Sequence, residues 1–587
     1  MTAPNRTTLY GRAVVDELAR GGVTAACVAP GSRSTPLTMA LAAHTDIQVF
    51  SHLDERSAAF FALGRARRTG EPTPVVTTSG TAAANLHPAV VEASQARVPF
   101  LALTADRPAE LRDSGANQTV DQEKLYGSSV RFYADLPEPT AESRTLRSTR
   151  TKVAQGLAAA TGTPAGPVHL NCPFPKPLEP TPVEGDVPSD LDPLAADGRP
   201  GGDPFVRRSA GTPALGPRDL RALVETLDAE RGLIVAGPAD PPGHDPEAFA
   251  ALAAATGFPI LADPLSTLRY GGHVRTTPVV GAYDAYLHSA ATAGWPPPDV
   301  VLRVGASPTS KPLRRYLAGT GARQVVVDPA GGWREAEFAA TDLVTADPSR
   351  LAARLSERAR RSVDPAWVER WERADAVARE VCDEATADGE RFEGRVLATL
   401  AERAPDPSTL VVSNSMPVRD LDRFGAPSTT NLTVLANRGA SGIDGVVSTA
   451  LGAGSATTDG LTLVVGDLAF YHDMNGLLAL GRCDVDATIV LVDNDGGGIF
   501  HRLPVEGFEP PFTEQFKTPH GLGFAPTGDL YDLDFRTVDI DDLGDAYADS
   551  VATPGSDVLR VAFDAESSHR AREELRDRVV ERVAQEV

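Results

Sequence analysis

The sequence predicts an α/β protein built from three parallel sheets, each flanked by helices. Short apolar runs alternate with helix-length amphipathic runs along the chain. Most of the apolar runs end in a brief Gly, Ser, Thr or Asp turn, as strands do when they feed crossover helices. The 587 residues suit three to four domains at roughly 150 residues each.

Each element follows in order. Residues 24–30 (TAACVAP) read as a buried strand, then GSRS and a helix from Thr35. Residues 47–51 form a short strand and 54–68 a helix. PVVTTSG (74–80) is a strand entering a glycine turn, and VPFLALTADRP (98–108) is another strand. In a parallel sheet ligands bind beyond the carboxyl ends of the strands, so the loops GSRS, TSGT and TADRP face one rim. From Pro173 to Pro217 there are eleven prolines, which forbid long helices and indicate a linker. A second α/β unit follows, with strands at 232–237, 258–263, 299–307 and 323–329 and no dinucleotide glycine fingerprint. Residues 345–405 are helical in spacing. The third unit runs through STLVVSNS (408–415), NLTVLANRGASGIDG (431–445), LTLVVGDLAFYHD (461–473) and DATIVLVDNDGGGIF (486–500). The expected boundaries are a first domain 1–180, a linker 181–215, a central domain 216–365, a helical connector 366–405 and a third domain 406–587.

Composition removes several function classes. The formal charge of −23 argues against nucleic acid or an anionic membrane as partner. No apolar run approaches the roughly 18 residues of a membrane span, and the N-terminal residues lack a signal-peptide pattern, so a cytoplasmic location is expected. Four widely spaced cysteines suggest neither a zinc site nor a disulfide scaffold. Only five cations are lysine. This acidic, lysine-poor balance fits either a high-salt cytoplasm, where self-repulsion is screened, or GC-rich codon usage.

The third unit carries the sharpest chemistry. Asp467 ends one apolar strand, and Asn494 lies 494 − 467 = 27 positions later near the end of the next, followed by Asp495 and Gly496–Gly498. One helix fits between them, which puts the two side chains on adjacent strand ends. A hard cation such as Mg2+ or Mn2+ takes one or two carboxylates together with phosphate oxygens. Asp467, the Asn494 amide oxygen and a Gly496 carbonyl would supply that set. Glycine turns also offer N–H donors to a diphosphate.

This Gly-Asp…Asn arrangement resembles the fingerprint of thiamine-diphosphate enzymes, although Leu468 stands where Gly is usual and Asp493-Asn494 where Asn-Asn is usual. Nearly the whole chain resembles one family of them, the SEPHCHC synthases (MenD) of menaquinone biosynthesis. The matching stretches are APGSRSTPL (29–37), DERSAAFFALG (54–64), TSGTAAANLHPAVVEA (78–93), LTADRPAELRDSGANQ (103–118), GPVHLNCPF (166–174), NSMPVRDLD (414–422) and NRGASGIDG (437–445). The central unit matches weakly, except for SKPL around Lys311.

The resemblance implies the three-domain thiamine-diphosphate enzyme fold, with a pyrimidine-binding first domain and a diphosphate-binding third domain. It implies Glu55 as the catalytic carboxylate that holds the cofactor's aminopyrimidine. Ile443 would force the bent cofactor shape, and Ser441, Gly442, Leu468 and Ala469 would line it. It also implies a homodimer or homotetramer with the active site between chains. The reaction implied is decarboxylation of 2-oxoglutarate and conjugate addition of the succinyl-semialdehyde carbanion to isochorismate. Both substrates are dianions, for which arginine's planar fork is suited. Ser415 and Arg419 would hold the distal carboxylate of the donor. Arg33, Arg107, Gln118, Lys311 and Arg438 would mostly serve isochorismate, with Ser32 adding a hydrogen bond. Ile499, Phe500 and Leu503 would form an apolar wall. The rival readings are an acetolactate synthase or decarboxylase type and a non-catalytic relative. The arginine cluster and the absence of a His-His pair weigh against the first. The presence of Glu55, Asp467 and Asn494 weighs against the second.

Overall fold

The structure is a computed structural model that describes residues 3–587. It contains three separate six-stranded sheets. The first holds β1 (Ala25–Val28), β2 (Gln48–Ser51), β3 (Thr73–Thr77), β4 (Phe100–Asp106), β5 (Phe132–Asp135) and β6 (Pro167–Pro173), in the order β2-β1-β3-β4-β6-β5. The second holds β7 (Gly232–Ala236), β8 (Ile260–Ala262), β9 (Val279–Val280), β10 (Val300–Val304), β11 (Arg323–Val327) and β12 (Asp342–Val344), in the order β12-β11-β10-β7-β8-β9. The third holds β13 (Ser408–Val412), β14 (Leu432–Leu435), β15 (Gly460–Gly466), β16 (Thr488–Asp493), β17 (Asp534–Thr537) and β18 (Asp557–Ala562), in the order β14-β13-β15-β16-β18-β17. Pairing is parallel throughout, for example β3 with β4 and β15 with β16. Central strands such as β4 and β6 are buried at every position, as expected when helices cover both faces.

The first and third sheets share one strand order, so the two units repeat an architecture without an evident sequence repeat. The central sheet differs. Counted within itself it runs 3-2-1-4-5-6, the order of dinucleotide folds, yet the turn after β7 reads GPADPPG instead of a glycine fingerprint. Several strands escape the apolar-run criterion. β6 carries His169 and Asn171 in its interior, β17 is DFRT, and β9 has only two residues.

The chain divides into two compact units. One comprises the residues up to Ala210 together with Asn437–Thr458 and Asp473–Val485; the other comprises Gly211–Ala436, Asp459–His472 and Asp486–Val587. The proline-rich stretch expected to be a linker has no helix longer than the four residues Pro193–Ala196, but up to Ala210 it is bound down rather than loose. Arg20 donates to the carbonyls of Asp197, Arg199 and Asp203. The buried Arg150 donates to those of Ala195 and Ala196, and Glu17 accepts from the Phe205 N–H.

In the first unit, helix Glu55–Thr69 crosses helix Val446–Gly454 at backbone distance. A Cβ on Gly64 would lie 1.9 Å from the Thr449 carbonyl oxygen, and one on Gly452 would lie 1.9 Å from that of Phe61. Gly445, at φ +66 in the left-handed region, sits against the Phe60 ring. Backbone meets backbone at the two helical glycines, so no side chain can swing away. We expect Gly452→Ala to lower stability by about 1–3 kcal/mol, measured as an earlier denaturant midpoint for the first unit; an unchanged midpoint would show that the helices can part.

Candidate active site

In the first unit the strand-end loops converge by hydrogen bonding. Arg33 follows β1 in a short 3-10 turn, and its backbone N–H donates to Thr78 Oγ1 at 3.3 Å. Next in line, Ser79 Oγ donates to the Gln118 carbonyl at 3.0 Å, and Gln118 Nε2 returns a bond to the Ser79 carbonyl. Arg107, just past β4, donates from Nη2 to the Asn117 carbonyl at 2.8 Å. Arg33, Arg107 and Gln118 therefore share one rim, with Ser32 exposed beside them. Arg33 is 5% exposed, and its Nη1 donates to the Phe174 carbonyl. Beneath the rim lies a buried polar network missed by the sequence reading: Gln122 accepts from Gly80 N–H and donates to Asn171, which also accepts from Thr104 and donates to Asp106.

Glu55 is the first residue of helix Glu55–Thr69, and Asp54 caps that helix by accepting from the N–H groups of Arg56 and Ser57. The neighbouring Arg56 lies 3.7 Å from the buried Asp473, whose carboxylate also accepts from Ser448 N and Oγ. Burial pushes Asp473 up to about 6, against the pull of Ser448 and Arg56. Ser448 belongs to the helix that follows the NRGASGIDG loop, so the Glu55 end and that loop are tied together within one unit.

The loop itself is held by a residue that the sequence reading did not single out. Glu92 is 3% exposed, and its carboxylate accepts from the N–H groups of Gly439 (2.8 Å), Ala440 (2.6 Å) and Ser441 (3.3 Å). Arg67 pairs with it at 3.0 Å. Three successive N–H groups around one anion form a backbone nest. The nest presets the backbone that carries Arg438, Ser441, Gly442 and Ile443, with Ser441 in the left-handed region at φ 62. Ile443 is 36% exposed, a large apolar side chain presented rather than packed.

In the second unit, β15 and β16 pair in parallel with Gly466 opposite Val492. Asp467 and Asn494 therefore stand on adjacent strand ends, as the spacing predicts, although three short helical segments rather than one helix separate the strands. Asp467 is 2% exposed. Its Oδ1 accepts from Leu468 N–H at 2.6 Å, and its Oδ2 from Asn494 N–H at 3.1 Å and Gly496 N–H at 2.9 Å. Burial pushes its carboxyl above the ordinary value, against the pull of those N–H groups. Ala469, two residues further on, is also buried. Asp493, the departure from Asn-Asn, is paired with Arg560 at 2.6 Å. Gly496, at φ +133, lies so close to the Lys517 carbonyl that a Cβ would meet it at 2.2 Å.

The Asn494 side chain tests whether a cation fits. Its Nδ2 donates to Glu393 Oε1 at 2.8 Å, and Glu393 is itself held by Arg572. This fixes the amide orientation and leaves Asn494 Oδ1 buried with no hydrogen-bond partner. A buried, unpaired oxygen beside a carboxylate fits a hard divalent cation. Glu393 lies in the helical connector, where nothing in the sequence links it to Asn494.

The remaining candidate residues of the second unit lie on three further segments. Ser415, at φ 70, precedes helix Met416–Phe424, and Arg419 donates from Nη1 to the Ser415 carbonyl. Lys311 is exposed at the start of helix Lys311–Gly319. That start is tied to the Arg419 helix through Ser310, which donates to Asp284, and Asp284, which pairs with Arg423. Ile499 and Phe500 lie in the short turn Gly498–Arg502, and Leu503 follows it with 47% exposure.

The Glu92 nest yields a test independent of any ligand. Glu92→Gln keeps the shape but turns an N–H group toward the loop's own donors. We expect amide hydrogen exchange at Gly439–Ser441 to speed at least about tenfold, the loss of roughly one charged hydrogen bond. Unchanged protection there would show that the loop holds its shape without the nest.

Residues 9–125 match the thiamine pyrophosphate enzyme, N-terminal TPP binding domain family. A 2-succinyl-5-enolpyruvyl-6-hydroxy-3-cyclohexene-1-carboxylate synthase of Halorubrum lacusprofundi is 62% identical over 98% of both chains. The protein of the same name from Halobacterium salinarum is 60% identical over 99% of both, and that from Roseiflexus sp. is 47% identical over 96% of both. With this identity sustained over nearly the whole length, the chain belongs to the 2-succinyl-5-enolpyruvyl-6-hydroxy-3-cyclohexene-1-carboxylate synthase family.

Proposed function

We propose that the protein is a cytoplasmic SEPHCHC synthase that uses thiamine diphosphate and Mg2+ or Mn2+. In this reading it decarboxylates 2-oxoglutarate and adds the resulting four-carbon unit to isochorismate. Beyond family membership, the observation that carries it is the unpaired Asn494 Oδ1 beside Asp467. Residues 1–180 would bind the cofactor's pyrimidine and 406–587 its diphosphate, in a homodimer or homotetramer with the site completed between chains.

When bound, thiamine diphosphate supplies the electron sink for decarboxylation and carbon–carbon bond formation. The chain's own residues position and polarise. Asp467, Asn494 and the Gly496 carbonyl hold the cation, with Glu393 keeping the Asn494 oxygen turned toward it. Glu55 would hold a proton at the aminopyrimidine ring, and Ile443 would support the cofactor. Arg419 and Ser415 take the distal carboxylate of 2-oxoglutarate. Arg33, Arg107, Lys311 and Arg438 provide the positive field for isochorismate that a chain of charge −23 must build locally, and Gln118 adds a hydrogen bond. Ile499, Phe500 and Leu503 exclude water beside it.

The deciding experiment supplies purified protein with thiamine diphosphate, Mg2+, 2-oxoglutarate and isochorismate and follows the loss of isochorismate absorbance; no loss sinks the proposal. Glu55→Gln is expected to cut turnover at least about 100-fold at saturating cofactor, as for other proton-transfer groups. Arg419→Ala should raise the KM for 2-oxoglutarate by about 30- to 1000-fold, the cost of a charge-assisted bidentate contact. Arg419→Lys should recover only part of that. Good use of pyruvate by the wild type, with 2-oxoglutarate kinetics unchanged in Arg419→Ala, would favour an acetolactate-type reaction instead.

A further inference from the structure

The loop after the turn Thr513–Lys517 brings a third group to the cation position. Ligand atoms of Asp467, Asp493 and His520 all lie within 4.8 Å of one another. Asp493 is engaged by Arg560 and by the N–H of Asp495. His520 lies between two carboxylates, Asp467 and Asp495. Its side chain is 12% exposed, and its Nε2 is buried, without an aligned partner, 3.3 Å from Asp467 Oδ2.

The loop fixes which nitrogen carries the proton. Asp495 Oδ1 accepts from the N–H groups of His520 (3.0 Å) and Gly521 (2.7 Å), and the Leu522 N–H donates to His520 Nδ1 at 2.9 Å. Nδ1 also lies 3.4 Å from Asp495 Oδ1, but its shorter contact, with the Leu522 N–H, makes it an acceptor, and an imidazole with Nδ1 accepting carries its proton on Nε2. The ring packs edge-on against Phe524, which packs on Phe470 of the helix begun by Asp467. A nitrogen that carries a proton offers no lone pair to a metal. It is a donor held beside a carboxylate oxygen that a cation will claim.

We infer that His520 is a hydrogen-bond donor to a diphosphate oxygen of the cofactor at the cation site, and that it leans on Asp467 when the cofactor is absent. The inference rests on the proposed function. Three features combine in its support: a fixed tautomer, an unaligned buried N–H, and packing that ties the ring to the Asp467 helix. His520 is therefore a binding residue for the diphosphate and not a metal ligand.

Titration calorimetry of thiamine diphosphate into the full-length protein with Mg2+ reads the effect. His520→Ala should weaken cofactor binding about 10- to 100-fold, the range of a charge-assisted hydrogen bond. His520→Gln, whose terminal N–H reaches about as far as Nε2, should recover most of the loss. Spin-echo spectra of the Mn2+ complex with 15N-labelled histidine are expected to show no nitrogen coupling. A coupling that disappears in His520→Ala would make His520 a metal ligand and overturn the inference. Equal cofactor affinity in wild type and His520→Ala removes the inference and leaves the proposed function standing; failure of the wild type to bind the cofactor removes both.

Discussion

The backbone-to-backbone crossing of helices Glu55–Thr69 and Val446–Gly454 is the constraint on which the first unit's site depends. Gly64 against Thr449 and Gly452 against Phe61 leave no room for a side chain on either helix. The helix axes are consequently closer than ordinary side-chain packing permits. Two of that unit's candidate groups hang from the amino ends of these helices: Glu55 from one, the NRGASGIDG loop from the other. Asp473, joining Arg56 to Ser448, closes the same pair electrostatically. This crossing also accounts for the chain's division, since Asn437–Thr458 and Asp473–Val485 fold with the first unit although the sheet strands around them belong to the second.

A second theme is the use of carboxylates to organise main-chain N–H groups. Glu92 gathers three N–H groups from the loop 439–441, and Asp467 gathers three from Leu468, Asn494 and Gly496. The two are built alike but differ in what lies beside them. Glu92 has Arg67 as counter-charge and is finished as a structural anchor. Asp467 has no arginine or lysine ion pair among the described residues; the orphaned Asn494 oxygen lies close by, and burial pushes its carboxyl up. A buried carboxylate in that state is stabilised in its charged form by a divalent cation. The same local chemistry thus separates an anchor from a binding site by the presence or absence of a paired cation.

Legibility in the sequence followed the range of the interaction. The parallel-sheet class, most central strands and the Asp467–Asn494 juxtaposition were readable, because apolar runs and strand–helix–strand spacing are local signals. β5, β9, β12 and β17 were not, being short or half-polar edge strands; β6 hid behind His169 and Asn171, and the partly exposed β18 lay outside the apolar runs read as strands. The proline-rich segment was rightly denied long helices, but its composition could not show that Arg20, Arg150 and Glu17 bind it down from afar. Glu92 sat inside a recognised stretch and still gave no sign of its role. Glu393 lies 494 − 393 = 101 residues from the asparagine it orients, and no periodicity spans that distance.

The central unit shows the same limit from the other side. Its strand order is that of dinucleotide-binding folds, yet its first turn lacks the glycines that let a backbone approach a pyrophosphate. Where a Cβ on Gly237 would come within 1.8 Å of the Ala306 carbonyl oxygen, the glycine serves strand-end packing and leaves no opening for a ligand there. Its candidate contribution is Lys311, carried on a helix whose cap, Ser310, is bonded to Asp284 and through it to Arg423. Helix Lys311–Gly319 and helix Met416–Phe424 are thereby fixed relative to each other by a buried charge pair. The unit has the strand order of a nucleotide binder without the glycine turn that binding needs, so fold alone is a poor guide to what this domain does.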